Sequence, residues 1–387
     1  MTEIPLFKVA MSPLAAPAVS DVLNSGYIGQ GEKVDEFEAG LREYFNSDYV
    51  VTVNSATSGL TLALRLHQDN IRSMDNYDGD IEVLTTPLTC TATNWPILAN
   101  NLPLKWVDVN ENNFNMDLDD LERKLSPSTR IIFVVHWGGY PVDLVRLSKI
   151  QEKCYELYGF YPRIIQDCAH AFGSKFMGYQ VGAYPALRRS ISVYSFQAIK
   201  HLTSVDGGAM IVPASDYNKA RLLRWYGIDR DSNRKDFRCE ADVLEWGYKF
   251  HMNDVNATVG IANLKQIDSI IDAHKKNGKE YNIQLSELER VSSGVTLLDN
   301  DEGYDSAYWI YSMKVERQQD FMKAMNSRGI AVSRVHERND KHTCVAQYVS
   351  ALPTLDKLIG EMICIPSGWW VGDEEREHII SSIKRGW

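Results

Sequence analysis

ISVYSFQAIKHLTSVDGGAMIV, residues 191–212, sets two short β-rich apolar runs on either side of a polar turn that carries one lysine, Lys200. Apolar runs of this length, bounded by Ser, Asp and Gly, read as strands. Working outward, YVVTV (49–53), IEVLTTP (81–87), LKWVDV (104–109), RIIFVVHW (130–137) and PRIIQD (162–167) repeat the pattern, separated by polar or helical stretches. Val34, Phe37, Leu41 and Tyr44 fall at helical spacing over 34–44, and a second helix is predicted over 58–67. This alternation predicts an α/β protein whose mainly parallel sheet is covered by helices. The last third changes character, with a long polar helix expected over about 255–288 and strand and helix alternation from Tyr308 onward. The expected division is a large domain over 1–266 and a small α/β domain over 267–387.

Composition narrows the function classes. The 387 residues are 44% apolar and 24% charged, as in an ordinary soluble globular protein. A formal net charge of -10 opposes a nucleic-acid backbone, so an anionic ligand has to be met by a few placed donors. The six cysteines (Cys90, Cys154, Cys168, Cys239, Cys344, Cys364) contain no CxxC pair, which fits a reducing compartment. Without a leader-like start or a bilayer-length apolar window, a cytoplasmic protein with no membrane partner is expected.

In open parallel sheets ligands gather at the carboxyl ends of strands, so polar residues just after the strand-like runs carry the chemistry. In TVNSATSG (52–59) the backbone N–H groups of Ala56 and Thr57 open a helix and would bind a phosphate. Plain capping by Ser55 or Thr57 accounts for the same residues. Asp167 ends PRIIQ, and a buried carboxylate needs a cation or a strong donor. A protonated pyridine nitrogen is one such donor; an internal salt bridge or a helix cap is the alternative. Lysines in turns are usually solvated, but one desolvated beside another cationic group becomes a nucleophile and a base. Gly207 and Gly208 would let the returning backbone pass close to a ligand. GYKFHMNDVNATVGIANL (247–264) enters a helix with Asp254 as the expected cap. The order matters: an anion loop, a buried acid, then Lys200 33 residues after Asp167. Arg230 and the cluster HERNDKH (336–342), with His336, Arg338 and His342, are candidates for substrate contacts, against the reading of a solvated loop. The spacing of His336, His342 and Cys344 matches no metal-site class, so no metal is expected.

Seven segments, SGYIGQGEKVDEFE (25–38), NSATSGLTLAL (54–64), TPLTCTATNW (86–95), HWGGYPVDL (136–144), QDCAHAFGS (166–174), YSFQAIKHLTSVDGGAM (194–210) and GYKFHMNDVNATVG (247–260), stand in one order. In that order the sequence resembles the DegT/DnrJ/EryC1/StrS family of sugar-nucleotide aminotransferases. The resemblance implies the fold type I (aspartate aminotransferase-like) architecture of pyridoxal 5'-phosphate (PLP) enzymes, a large mostly parallel-sheet domain plus a small C-terminal one. It implies Lys200 as the Schiff-base lysine, Asp167 on the pyridine nitrogen and His170 near the ring hydroxyl. Ala56, Thr57 and Ser195 match the phosphate site, and Lys249 matches a segment that reaches the neighbouring cofactor across a homodimer. Cys90 stands where the family carries an aromatic ring on the cofactor; a thiol can pack on that face more thinly, or Trp95 can supply the ring. The implied reaction moves the amino group of L-glutamate to a nucleotide-linked keto-deoxysugar, with pyridoxamine phosphate between the half-reactions. Dehydratases of the same family carry His in place of the lysine, and a non-catalytic binding protein of this fold would need neither Lys200, Asp167 nor the phosphate loop. This chain keeps Lys200, with His201 beside it, which favours transamination.

Overall fold

A computed structural model describes residues 3–229, 242–290 and 294–387. Its main sheet is built from β1 (Val50–Val53), β2 (Glu82–Thr85), β3 (Leu104–Trp106), β4 (Thr129–Val135) and β5 (Arg163–Asp167). A short hairpin, β6 (Lys175–Phe176) and β7 (Tyr179–Gln180), precedes the last two sheet strands, β8 (Ser190–Ser195) and β9 (Gly208–Ile211). The seven sheet strands lie in the order β1-β9-β8-β5-β4-β2-β3. Each overlaps an apolar run expected to be a strand, β4 and β8 beginning one residue before theirs. The neighbours from β8 to β3 pair in parallel, and β9 runs antiparallel to both β8 and β1.

The period of two along each strand explains why the runs are apolar throughout. Val51, Val53, Ile131, Phe133, Ile165, Ile191 and Val193 enter one core, while Val50, Ile132, Val134, Ile164 and Tyr194 enter another. Both faces are covered, as parallel sheets require. The helices α1 (Ala15–Ser25), α2 (Glu32–Phe45), α3 (Ala56–Ser73) and α4 (Thr91–Ala99) include both predicted ones. Helix α3 runs past the expected end because Leu66, Asn70 and Ile71 continue its buried stripe.

The single long helix expected over 255–288 is two helices, Asp254–Leu264 and Ile267–Arg290. Asn253, in extended backbone, caps the first of them by accepting from the Asn256 amide at 2.9 Å. Asp254 is already helical, so its carboxylate is released to cap α2 instead, accepting from the amides of Gly31 at 2.7 Å and Val34 at 3.2 Å.

After residue 294, β10 (Val295–Leu297), β12 (Tyr311–Val315) and β13 (Met362–Ile365) form an antiparallel sheet. Its core joins Met313 and Ile363 to Tyr281 and Leu285 of the long helix and Ile380 of the last one. The two-residue strand β11 (Tyr304–Asp305) pairs with β6 of the other sheet region. Trp309 and Ile310 pack into the core of the main sheet. The C-terminal third thus reaches the carboxyl ends of β5 and β8. Among the described residues no helix is long and apolar enough to cross a membrane.

Candidate active site

Strand registry brings the expected residues together. Asp167, the last residue of β5, sits opposite Val135 of β4 and Val193 of β8. It is 4% exposed. Its Oδ1 accepts from the Ala169 amide at 2.9 Å and its Oδ2 from the Thr93 hydroxyl at 2.7 Å. Burial pushes the carboxyl above its ordinary value, although those two hydrogen bonds and the charge of Lys200 pull the other way. A carboxylate in this condition is stabilised by any cation or N–H donor set against it.

Lys200 stands in the turn that follows β8, where its amide bonds the Gln197 carbonyl at 3.0 Å. The residue as a whole is half-buried, but its amine is enclosed, and burial lowers its pKa to about 7 against the favourable charge of Asp167. Near neutral pH a large fraction is therefore the free amine, the form that attacks a carbonyl. Its Nζ lies 3.5 Å from the centroid of the Trp309 ring.

Trp309 carries a layer of parallel rings. His170 stacks on it at 3.9 Å and 17°, and His336 lies parallel to His170 at 5.6 Å and 6°. Burial first, then the charge of Lys200, pushes His170 well below its ordinary pKa and His336 down to about 3, so both rings are neutral. His170 Nδ1 and His336 Nε2 are buried without a hydrogen-bond partner among the described residues. Tyr308 and Val335, immediately before the two outer rings, have φ of 46° and 67°. Left-handed backbone at a β-branched or bulky residue costs about 1–3 kcal/mol and persists where its surroundings over-determine it.

At the start of α3, Ser55 is the cap, accepting from the Ser58 amide at 3.1 Å. The amides of Ala56 and Thr57 lie in the first turn, where no carbonyl of the helix can reach them. Capping and an anion cradle thus coexist. Gly208, paired with Ser195 across β8 and β9, lies against this turn: a Cβ there would come within 2.9 Å of the Ala56 nitrogen. The Ser195 hydroxyl accepts from the Gln197 amide at 3.3 Å.

Cys90 precedes α4 and is half-buried, its carbonyl accepting from Asn339 Nδ2 at 3.3 Å. Trp95 meets the His342 ring edge-on at 5.5 Å. Lys249 is exposed, on a segment zipped to the cradle: the Asn54 amide bonds Phe250 O at 2.7 Å and its side chain bonds Lys249 O at 3.1 Å. Arg338 is 6% exposed and paired with Asp340 and Asp356, which hold its pKa above the ordinary value. Its donors are taken by Asp340 of its own loop and by Asp356 on the helix Pro353–Leu358. Arg230 lies outside the described residues. Thr93 lies within TPLTCTATNW (86–95), but nothing in the sequence marks Trp309, since its contact with Lys200 spans 109 positions.

Known proteins share the fold of this chain. AtS13 of Actinomadura melliaura is 44% identical, with a TM-score of 0.93 and 100% of each chain covered. The sugar aminotransferase CalS13 of Micromonospora echinospora is 41% identical with a TM-score of 0.91, over 99% of this chain and 100% of that one. An uncharacterised protein of Methanocaldococcus jannaschii is 30% identical over 291 residues, 74% of this chain and 70% of its own. The sequence profile of the DegT/DnrJ/EryC1/StrS aminotransferase family matches residues 11–384. With the profile spanning nearly the whole chain, and the fold matching along its full length, this protein belongs to the DegT/DnrJ/EryC1/StrS aminotransferase family.

Proposed function

We propose that this protein transfers the amino group of L-glutamate to the keto group of a nucleotide-linked keto-deoxysugar, with PLP held covalently on Lys200. The observation that carries the reading is the enclosed Lys200 amine, in the turn after β8, at the same carboxyl end of the sheet as the buried Asp167 carboxylate. The sugar assignment draws on the likeness to CalS13, a sugar aminotransferase.

The residues fit the cofactor. Asp167, held above its ordinary pKa by burial, gains from a pyridine N–H, and the open amides of Ala56 and Thr57 suit a phosphate beside Ser195. His170 has a buried ring nitrogen to offer a ring hydroxyl. When bound, PLP supplies an electron sink and carries the amino group between the two substrates as pyridoxamine phosphate. Lys200 would hold the cofactor and then, set free as an amine, move a proton to and from the substrate carbon. Cys90 would pack on the cofactor in place of an aromatic ring, and more thinly.

His336 and Arg230 are proposed contacts for the sugar nucleotide. Arg338 would act through its ion pairs, fixing the loop that presents His336 and Asn339. His201 does not take over the post of Lys200, because its Nε2 is engaged by the Ala307 carbonyl at 3.0 Å. Residues 1–266 and 267–387 would form the large and small domains, the second closing over the first through Trp309 and His336. Each site would be completed by a second copy of the chain: Val205 (54% exposed), Leu244 (93%) and Trp246 (61%) stand on the loops that follow Lys200 and carry Lys249. Exposed apolar side chains of this size are expected at an interface.

Incubation with [15N]glutamate and a panel of nucleotide-linked keto-sugars tests the proposal. Appearance of the 15N-amino sugar nucleotide with 2-oxoglutarate is expected; label transfer that survives Lys200→Ala would overturn it.

A further inference from the structure

We infer that Trp309 is a positioning residue for the Lys200 amine, its indole face holding the ammonium form and fixing where the nitrogen rests. The inference rests on the proposed role of Lys200 and adds to it a control on that nitrogen's charge.

The geometry is specific. Lys200 Nζ lies 3.5 Å from the indole centroid, inside the range where a ring quadrupole attracts a cation. The ring itself is fixed on several sides. Its Nε1 donates to the Ile199 carbonyl at 2.9 Å, next to the lysine it serves, while Phe7 stacks on it at 4.9 Å and His170 at 3.9 Å. Behind it the left-handed Tyr308 is held by its carbonyl, which takes the His274 ring nitrogen at 2.9 Å and the Ser367 hydroxyl at 3.0 Å. Trp309 is 2% exposed, so this contact is made away from water, where a cation–π interaction is strongest.

The other groups around the amine show why the ring matters. Burial opposes its charge, while Asp167 favours it. His170, His336 and His201 all feel the same charge and are neutral, so they neither balance it nor add a second positive charge. The indole is a charge-stabilising surface that costs no desolvated carboxylate, and it belongs to the C-terminal third, whereas Lys200 belongs to the main sheet. Docking of that third against the sheet therefore tunes the lysine.

The test measures the titration of Lys200 itself. The full-length chain, freed of cofactor with hydroxylamine, is labelled competitively with acetic anhydride across the neutral pH range, and the Lys200 peptide is quantified by mass spectrometry. Trp309→Leu is expected to shift the Lys200 midpoint down by roughly half to one pH unit, and Trp309→Phe by less. Leucine could also admit water, which pushes the other way, so fluorinated tryptophans placed at position 309 decide the matter. They keep the shape and weaken the quadrupole stepwise, and a graded downward shift is expected. A midpoint indifferent to fluorination, or rising with it, overturns the inference. Borohydride trapping of PLP on the wild type separates the two claims. Trapping at Lys200 with no fluorination trend sinks only the role of Trp309, whereas no trapping sinks the proposed function and leaves the titration to judge Trp309 alone.

Discussion

The Thr93 hydroxyl donates to Asp167 Oδ2 at 2.7 Å, and Thr89 backs it with a hydroxyl contact of 2.7 Å. A buried carboxylate above its ordinary pKa depends on such donors to stay ionised. Hydrogen bonds to charged groups contribute about 1.5–3 kcal/mol. Thr93→Val should therefore raise the Asp167 pKa further and weaken PLP binding by roughly tenfold or more. Equilibrium dialysis checks this, and Thr93→Ser should restore most of the affinity. Unchanged affinity in the valine variant would mean that Asp167 does not hold the cofactor.

Gly208 closes the other end of the site. A Cβ there would meet Tyr194 O at 2.7 Å and Ala56 N at 2.9 Å, both backbone atoms that cannot swing away. Gly208→Ala is expected to cost about 1–3 kcal/mol of stability through overpacking. It should also shrink the rise in Tm that PLP gives, because the displaced turn is the proposed phosphate cradle. Thermal melts with and without PLP measure both effects.

The sheet was legible because its strands are buried on both faces and so read as unbroken apolar runs such as RIIFVVHW. Lys200 and Asp167 were legible for a related reason, as polar residues at the ends of such runs. What was hidden depends on distance along the chain. The break at residues 265–266 carries no Pro or Gly, and the release of Asp254 to cap α2 is a contact across 220 positions or more. The ring layer of Trp309, His170 and His336 comes from three segments that only tertiary packing unites. Arg338 looked available by type, but its partner Asp356 is 18 residues away on another helix.

Acid should destabilise the fold before the carboxylates titrate. Burial holds His136 and His274 down to about 4, and His67, buried near Arg163, down to about 3. His136 Nδ1 accepts from the Val142 amide at 3.0 Å, a bond that protonation would break. These rings are neutral in the folded chain, so below the ordinary value of about 6.5 the unfolded chain binds protons the folded one refuses. The stability they confer is full above pH 6.5 and falls until the folded pKa is reached. Between pH 6.5 and 5 the loss is about 2 kcal/mol for each histidine. Urea unfolding should show the decline, and His136→Gln should remove that residue's share of it.

Reduction of the PLP-loaded protein with borohydride, followed by peptide mapping, addresses the role of Lys200 most directly. The expected result is a phosphopyridoxyl group on Lys200 and its loss in Lys200→Ala. A label spread over surface lysines, or absent from the peptide that carries Lys200, would contradict it.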